Sequence, residues 1–281
     1  MAHPLRPDHH RSPVVYQTQL HDDEFAQFQR WLHQTAGIDL SPAKKALVAS
    51  RLSKRLCHYE LESYGDYFSL IMNNRGAELQ IALDLLTTNE TYFFREPKHF
   101  EFLSEKVLAR LPKEQAVRIW SAASSSGEEP YSLAMTLADT LSQGNWEVIA
   151  SDISTRVLDQ ARSGQYPIER AHNIPLSFLM KYCLKGVGFQ EGTFIIDRKL
   201  RDKVQFHHIN LNQELPDIGM FDIILIRNVM IYFNRETKGQ VLQRLVPRLK
   251  KGGYLIVSHA ESLNGLPHGL QLVSPSIYLK P

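Results

Sequence analysis

From Val117 onward the chain alternates short apolar runs with stretches of helical spacing, and no other feature narrows the choice of folds as far. The runs are VRIW from 117, EVIASDI from 147, VQFHHIN from 204, FDIILIRN from 221 and YLIVSHA from 254. Short, nearly continuous apolar runs suit strands buried on both faces, and strands separated by helices pair in parallel. A parallel α/β sheet is therefore expected. Residues 22–88 read as helices only. Asp22 or Asp23 opens one that carries Phe25, Phe28, Trp31 and Leu32 and stops at Gly37. Ser41-Pro42 opens the next, which runs to about Tyr59, since Ser suits an N-cap and Pro a first helical turn. A helix near Glu96 to Leu111 bridges the two parts. The glycine-punctuated stretch Gly186 to Asp197 breaks the alternation and predicts a small hairpin subdomain ahead of the third core strand.

Composition bounds the function classes. A chain of 281 residues with 43% hydrophobic content can bury a sizeable core, divided between a large and a smaller domain. Lys+Arg 32 against Asp+Glu 30 is too balanced for a surface that tracks nucleic acid, so no nucleic-acid partner is expected. Cys57 and Cys183 offer neither a disulfide framework nor a zinc quartet, which points to a reducing cytoplasm and no metal. The first twenty residues lack the apolar core of a signal peptide, and no later run reaches membrane-spanning length, so no membrane insertion is expected. His3, His9 and His10 sit in a polar tail that reads as a flexible terminus rather than a metal site.

The loop Trp120-Ser121-Ala122-Ala123-Ser124-Ser125-Ser126-Gly127-Glu128-Glu129-Pro130 joins the first strand to a helix, and Asp152 closes the second strand. Small residues at such a turn let a ligand approach the backbone, and an acid there can accept both hydroxyls of a ribose. A full GxGxxG is missing, and Glu128 and Glu129 occupy the helix end that a phosphate would want. The pattern favours a cofactor that presents a cation or amine, such as S-adenosylmethionine, over a dinucleotide. Asn210 and Arg227-Asn228 close later strands on the same side of the sheet. The segment TTNETYFFREPKHF, residues 87–100, suits a lid, and Arg95 after Phe93-Phe94 would sit near buried surface in need of a carboxylate. On the helix from Ser41 the cations Lys44, Arg51, Lys54, Arg55 and His58 gather on one side, with no acid between Asp39 and Glu60 to neutralise them. They predict a docking face for an acidic partner, against the plainer reading of a solvated surface.

With TTNETYFFREPKHF, WSAASSSGEEPYS, ASDIS and RNVMIYF in this order, the chain resembles the chemotaxis receptor methyltransferases, the CheR family, over residues 22–281. The resemblance implies an α/β Rossmann-like S-adenosylmethionine-dependent methyltransferase domain at residues 91–281, with a small inserted β-subdomain at about 184–200. An all-helical domain at 21–90 and a flexible tail at 1–20 precede it. Position by position it implies that Asn89, Thr91 and Arg95 meet the cofactor from the lid, that Glu129 holds its amino group, and that Asp152 takes the ribose. Asn210 and Leu211 then contact the adenine, Arg227 and Asn228 complete the pocket, and Tyr232 stands near the transferred methyl. The turn around Gly186 and Gly188 resembles the loop by which some members bind a peptide at a receptor's carboxyl terminus.

The implied reaction moves a methyl group from S-adenosylmethionine to a glutamate carboxylate in the cytoplasmic domain of a chemoreceptor, leaving S-adenosylhomocysteine. Arg95 and Tyr232 are the expected catalytic residues, and the enzyme is expected to be a monomer. A carboxylate is ionised at neutral pH, so no general base is required, and the work is desolvation and alignment. The competing reading from another class is a non-catalytic adaptor that holds an adenosyl cofactor as a signal.

Overall fold

The computed structural model describes residues 18–73, 76–111, 116–141 and 144–281. The tail through residue 17, with its three histidines, lies outside the described residues. Leu20, which the sequence reading places in that tail, is buried against the first helices.

Four helices come first: α1 (Asp22–Ala36), α2 (Lys45–His58), α3 (Tyr64–Asn73) and α4 (Ala77–Leu86). Asp22, Asp23 and Glu24 place negative charge at the positive end of α1, where Glu24 also accepts the His21 N–H at 2.8 Å. Gly37 ends α1 in the left-handed conformation that glycine adopts without cost. A 3-10 turn, Pro42–Lys44, precedes α2, so the regular helix starts later than Ser41, whose side chain makes no capping bond. Phe28, Leu32, Leu52, Tyr67 and Ile71 close the core of this part, all fully buried.

The bridge is α5 (Lys98–Phe102), continued by a π-type turn and a 3-10 turn to Arg110. Then follow β1 (Val117–Ser121), α6 (Glu128–Thr140), β2 (Trp146–Asp152), α7 (Thr155–Ser163), β3 (Gln165–Pro167), α8 (Leu176–Tyr182), β4 (Cys183–Lys185) and β5 (Thr193–Ile196). The chain ends with α9 (Arg198–Arg201), β6 (Val204–His208), β7 (Phe221–Leu225), α10 (Arg235–Leu245), β8 (Leu249–Ile256), β9 (Gln271–Ser274) and β10 (Ile277–Leu279). The main sheet has the order β6-β2-β1-β7-β8-β10-β9. β6, β2, β1, β7 and β8 pair in parallel, as their apolar runs predict, whereas β10 runs antiparallel to β8 and β9. The sheet is thus mixed rather than all-parallel, because the carboxyl-terminal segment folds back as a hairpin along its edge.

The predicted hairpin exists as β4 and β5, but β3 pairs with β5 on the other side and makes a three-stranded sheet that begins at Gln165, before the expected start near 184. Gln-Tyr-Pro is too short a stretch to show alternation. The helical part is anchored on the α/β part by Asp84 of α4, which accepts the N–H groups of Thr155 and Arg156 (both 3.1 Å) and the Thr155 hydroxyl (2.9 Å). It therefore caps α7, the role that Ser154 would be expected to fill; the Ser154 hydroxyl has no partner among the described residues. None of the described helices is long and apolar enough to cross a membrane.

Candidate active site

The strand order reverses at β1, which has β2 on one side and β7 on the other, and this is where an open α/β sheet leaves a crevice at its carboxyl edge. A cavity of about 390 Å³ lies there, within the size range of small-molecule sites. The sheet forms its floor, and the α1–α2 connection and residues 86–95 form its roof. Asn89, Thr91, Arg95, Glu129, Asp152, Asn210, Leu211, Arg227, Asn228 and Tyr232 all line it. Residues far apart in sequence thus meet here because they sit at or past strand ends, on the lid or, for Glu129, in the first turn of α6.

One end of the cavity is acidic. Glu129 on α6 accepts the Ser121 hydroxyl at 2.7 Å on one oxygen and Arg227 Nη1 at 2.7 Å on the other. Arg227 is itself buried, and its second amino group donates to the Arg95 carbonyl and, at 3.2 Å, to Glu96. Arg227 therefore orders the wall and has little left for a ligand, which narrows the expectation that it contacts a cofactor. Glu128, beside Glu129, turns away to Arg170 (2.5 Å) and Ser126 (2.7 Å), and burial holds its carboxyl above the usual range. Of the two acids at this helix end, Glu129 alone reaches the cavity.

The lid supplies the opposite charge. The Arg95 guanidinium donates to the Glu90 carbonyl at 3.0 Å and lies over the Tyr92 ring, and it forms no ion pair with any described residue. Among the described residues no carboxylate pairs with Arg95, which leaves it open to one from outside. Asp152 accepts the Ser125 and Ser154 N–H groups, one on each oxygen at 2.9 Å, while burial pushes its pKa up. Its side chain is thereby fixed with lone pairs remaining for hydroxyl donors. Asn210 spends its side chain on the fold, donating to the Thr35 carbonyl at 2.6 Å and accepting the Asn212 N–H at 2.9 Å. The Asn210 amide therefore holds the turn and the α1 end, although the residue still lines the cavity.

Left-handed backbone clusters around this cavity. Phe94 (φ 54°), Glu96 (58°), Ser125 (47°) and Asn228 (58°) adopt it without being glycine. Such strain persists where surrounding bonds over-determine it, commonly at ligand sites. At Asn228 the determinant is Glu261, whose buried carboxylate accepts the N–H groups of Asn228 (3.0 Å), Ser258 (2.9 Å) and Ile231 (3.2 Å). Glu261 escaped the sequence reading: Asp152 is the last residue of β2, whereas Glu261 lies in the turn beyond the end of β8 at Ile256. Gly127 (φ 97°) opens α6, and a Cβ there would meet the Tyr166 hydroxyl at 2.8 Å and the Ala161 Cβ at 2.9 Å.

The basic face of α2 is largely structural. Arg55 pairs with buried Glu78 of α4 (2.5 and 2.8 Å), which Tyr59 and Tyr67 also contact. Arg51 donates to the carbonyls of Leu86 (3.1 Å) and Thr87 (2.9 Å) and to the Thr88 hydroxyl (3.2 Å), fastening the lid's root. The expectation that these arginines are unpartnered is corrected: their partners come from another helix, which local acid spacing does not reveal. Lys44 and Lys54 remain exposed, and Lys44 lines the cavity beside the partly exposed Leu47. Gly186 and Gly188 do not line the cavity. A Cβ at Gly186 would strike the Gln190 carbonyl at 2.0 Å, so glycine is required by the hairpin itself, and Val187 and Phe189 beside it are exposed.

A family model described as CheR methyltransferase, SAM binding domain, matches residues 89–279, and one described as CheR methyltransferase, all-alpha domain, matches residues 23–87. The chain is 41% identical over 263 residues to the chemotaxis protein methyltransferase of Escherichia coli, covering 92% of this chain and 91% of the relative. It is 40% identical to that of Salmonella typhimurium over 92% of this chain and 90% of the relative. With chemotaxis protein methyltransferase 2 of Pseudomonas aeruginosa the identity is 39% over 95% of this chain and 97% of the relative.

Proposed function

We propose, for a chain that belongs to the CheR methyltransferase family and takes S-adenosylmethionine as cofactor, that it methylates glutamate side chains in the cytoplasmic domain of chemoreceptors. The observation that carries the reading is the separation of charge in one cavity: an acid with acceptor capacity at Glu129, an ion-unpaired cation at Arg95, and the fixed acceptor Asp152. An α-amino acid attached to a ribose needs that set. The ammonium goes to Glu129, a carboxylate to Arg95, and the ribose hydroxyls to Asp152.

When bound, the cofactor supplies a methyl group on a sulfonium; the carbon–sulfur bond breaks with its electron pair left on sulfur as the carboxylate oxygen bonds to the methyl. The protein's part is positioning. Arg95 anchors the cofactor's carboxylate, and the lid that carries it keeps water off the reacting oxygen of the substrate, because a hydrated carboxylate is a blunted nucleophile. Tyr232 lines the same cavity and orients groups near the methyl. Lys44 and Lys54 draw an acidic receptor helix toward the mouth, and the Gly186–Gly188 turn with exposed Val187 and Phe189 offers a second contact for a receptor peptide.

Incubation with labelled methyl donor and receptor cytoplasmic fragments tests the proposal. Label transferred to the fragment and released by mild alkali as methanol supports a carboxyl ester. Tight S-adenosylhomocysteine binding without transfer to any receptor fragment would favour the adaptor reading instead.

A further inference from the structure

Glu96 does not line the cavity, yet it determines the charge that one wall presents. The Arg227 side chain is 2% exposed and reaches Glu129 Oε2 at 2.7 Å with one amino group and Glu96 Oε2 at 3.2 Å with the other. A guanidinium facing a single carboxylate closes a two-point fork on it and neutralises it. Here one amino group stays on Glu129 while the other is shared between the Arg95 carbonyl and Glu96, so the two acids, 12% and 16% exposed, and one guanidinium carry a net charge of about −1. We propose that Glu96 is a positioning residue, which helps the Arg95 carbonyl to hold the second amino group of Arg227 away from Glu129 and so leaves Glu129 negative enough to hold the cofactor's ammonium. The inference rests on the assignment of that ammonium to Glu129.

The local structure is built to keep Glu96 in this place. Its φ of 58° is left-handed, a conformation that a glutamate adopts only under constraint. The constraint comes from three sides: Arg227 on the carboxylate, the His259 N–H at 3.2 Å on the same oxygen, and the neighbouring Arg95 carbonyl held by Arg227. His99, 3.4 Å from Glu96 and nearly fully buried, has its pKa lowered to about 3 by burial and by Arg227, so it adds no positive charge to offset Glu96. Glu96, His99 and His259 lie close enough to suggest a metal site, but the guanidinium against the Glu96 carboxylate repels a cation. The electrostatic role accounts for all of these contacts.

The test is calorimetry with two ligands, S-adenosylhomocysteine and its analogue that lacks only the α-amino group. Glu96→Gln keeps the shape and, through its one carbonyl oxygen, can still accept from Arg227 and the His259 N–H as Oε2 does, but it removes the charge. It should weaken S-adenosylhomocysteine about tenfold while leaving the deamino analogue unchanged, and raise the KM for S-adenosylmethionine with kcat at saturation preserved. Equal weakening of both ligands would reduce Glu96 to a structural support and overturn the proposal, as would unchanged affinity for S-adenosylhomocysteine. Glu129→Gln separates the two levels of the argument. If it discriminates between the ligands and Glu96→Gln does not, only the role of Glu96 fails; if it binds both as the wild type does, the ammonium does not sit at Glu129 and both fail. Should Glu96→Gln not fold, Glu96→Asp, which withdraws the carboxylate by one methylene, should give a smaller but equally selective loss, and a non-selective one overturns the proposal.

Discussion

Arginine is the residue type whose role most depended on tertiary partners. Arg95, Arg227, Arg51 and Arg55 look alike in the sequence, yet among the described residues only Arg95 of the four lacks both an ion pair and a buried set of acceptors. Arg95→Lys keeps the charge and loses the planar fork, so methyl transfer should fall sharply while the thermal unfolding midpoint stays put; wild-type rates would remove Arg95 from the reaction centre. Arg55→Ala strands Glu78, whose side chain is 4% exposed, and should cost about 2 to 3 kcal/mol in urea denaturation, on the low side for a buried pair because two tyrosines still reach the acid. Lys54→Ala should stay within about 0.5 kcal/mol. Asp152→Ala should weaken S-adenosylhomocysteine by roughly 1.5 to 3 kcal/mol, the scale of hydrogen bonds to a charged acceptor, and calorimetry reads it directly. An unchanged affinity would take Asp152 out of the site.

At the scale of elements, strand ends and caps carry the account. The apolar runs disclosed β1, β2, β6 and β7, and because the site is assembled past their carboxyl ends, its members on Asp152, Asn210 and Arg227 were legible with them. What stayed hidden has physical reasons. β3 is three residues long and β9 leaves Leu272 and Val273 exposed, so neither shows the buried pattern that identifies a strand, and of β8 only the half from Tyr254 was legible, because Lys250, Lys251 and two glycines interrupt its start. Asp84 capping α7 joins elements some seventy residues apart, and no local motif encodes that. Asp84→Ala should therefore cost about 1 to 2 kcal/mol of stability, the value of a lost cap, and proteolysis near the α4–α7 contact should accelerate. A loss no greater than that of an exposed acid would mean that the cap is dispensable. α5 contributes a pH dependence through His99. Its folded-state pKa of about 3 lies below the 6.5 of a free imidazole, so below pH 6.5 the unfolded chain binds the extra proton. The contribution is complete above pH 6.5 and is lost as pH falls toward 3, with a slope of up to about 1.4 kcal/mol per pH unit. Urea midpoints between pH 7 and pH 5 should fall faster for the wild type than for His99→Gln, and parallel curves would contradict this.

For the molecule as a whole, the helical part and the α/β part both line the cavity, Lys44 and Leu47 from the first and Asn228 and Tyr232 from the second. Lys44 and Lys54 are exposed charges, and in the proposed function they steer an acidic partner through a field that salt screens over about 8 to 10 Å at physiological strength. Receptor methylation should therefore weaken as ionic strength rises while S-adenosylhomocysteine affinity stays level, and Lys44→Glu with Lys54→Glu should flatten that dependence. A flat salt profile in the wild type would move the docking surface to the Gly186–Gly188 turn. The central claim is that the charges in this cavity hold S-adenosylmethionine so that its methyl group passes to a glutamate oxygen of a chemoreceptor. Peptide mass spectrometry of receptor cytoplasmic fragments, after incubation with the enzyme and isotopically labelled S-adenosylmethionine, reads this most directly. The account predicts labelled methyl groups on glutamate side chains, removable by mild alkali and absent with Arg95→Lys; label on any other residue type, or label that survives alkali, would contradict it.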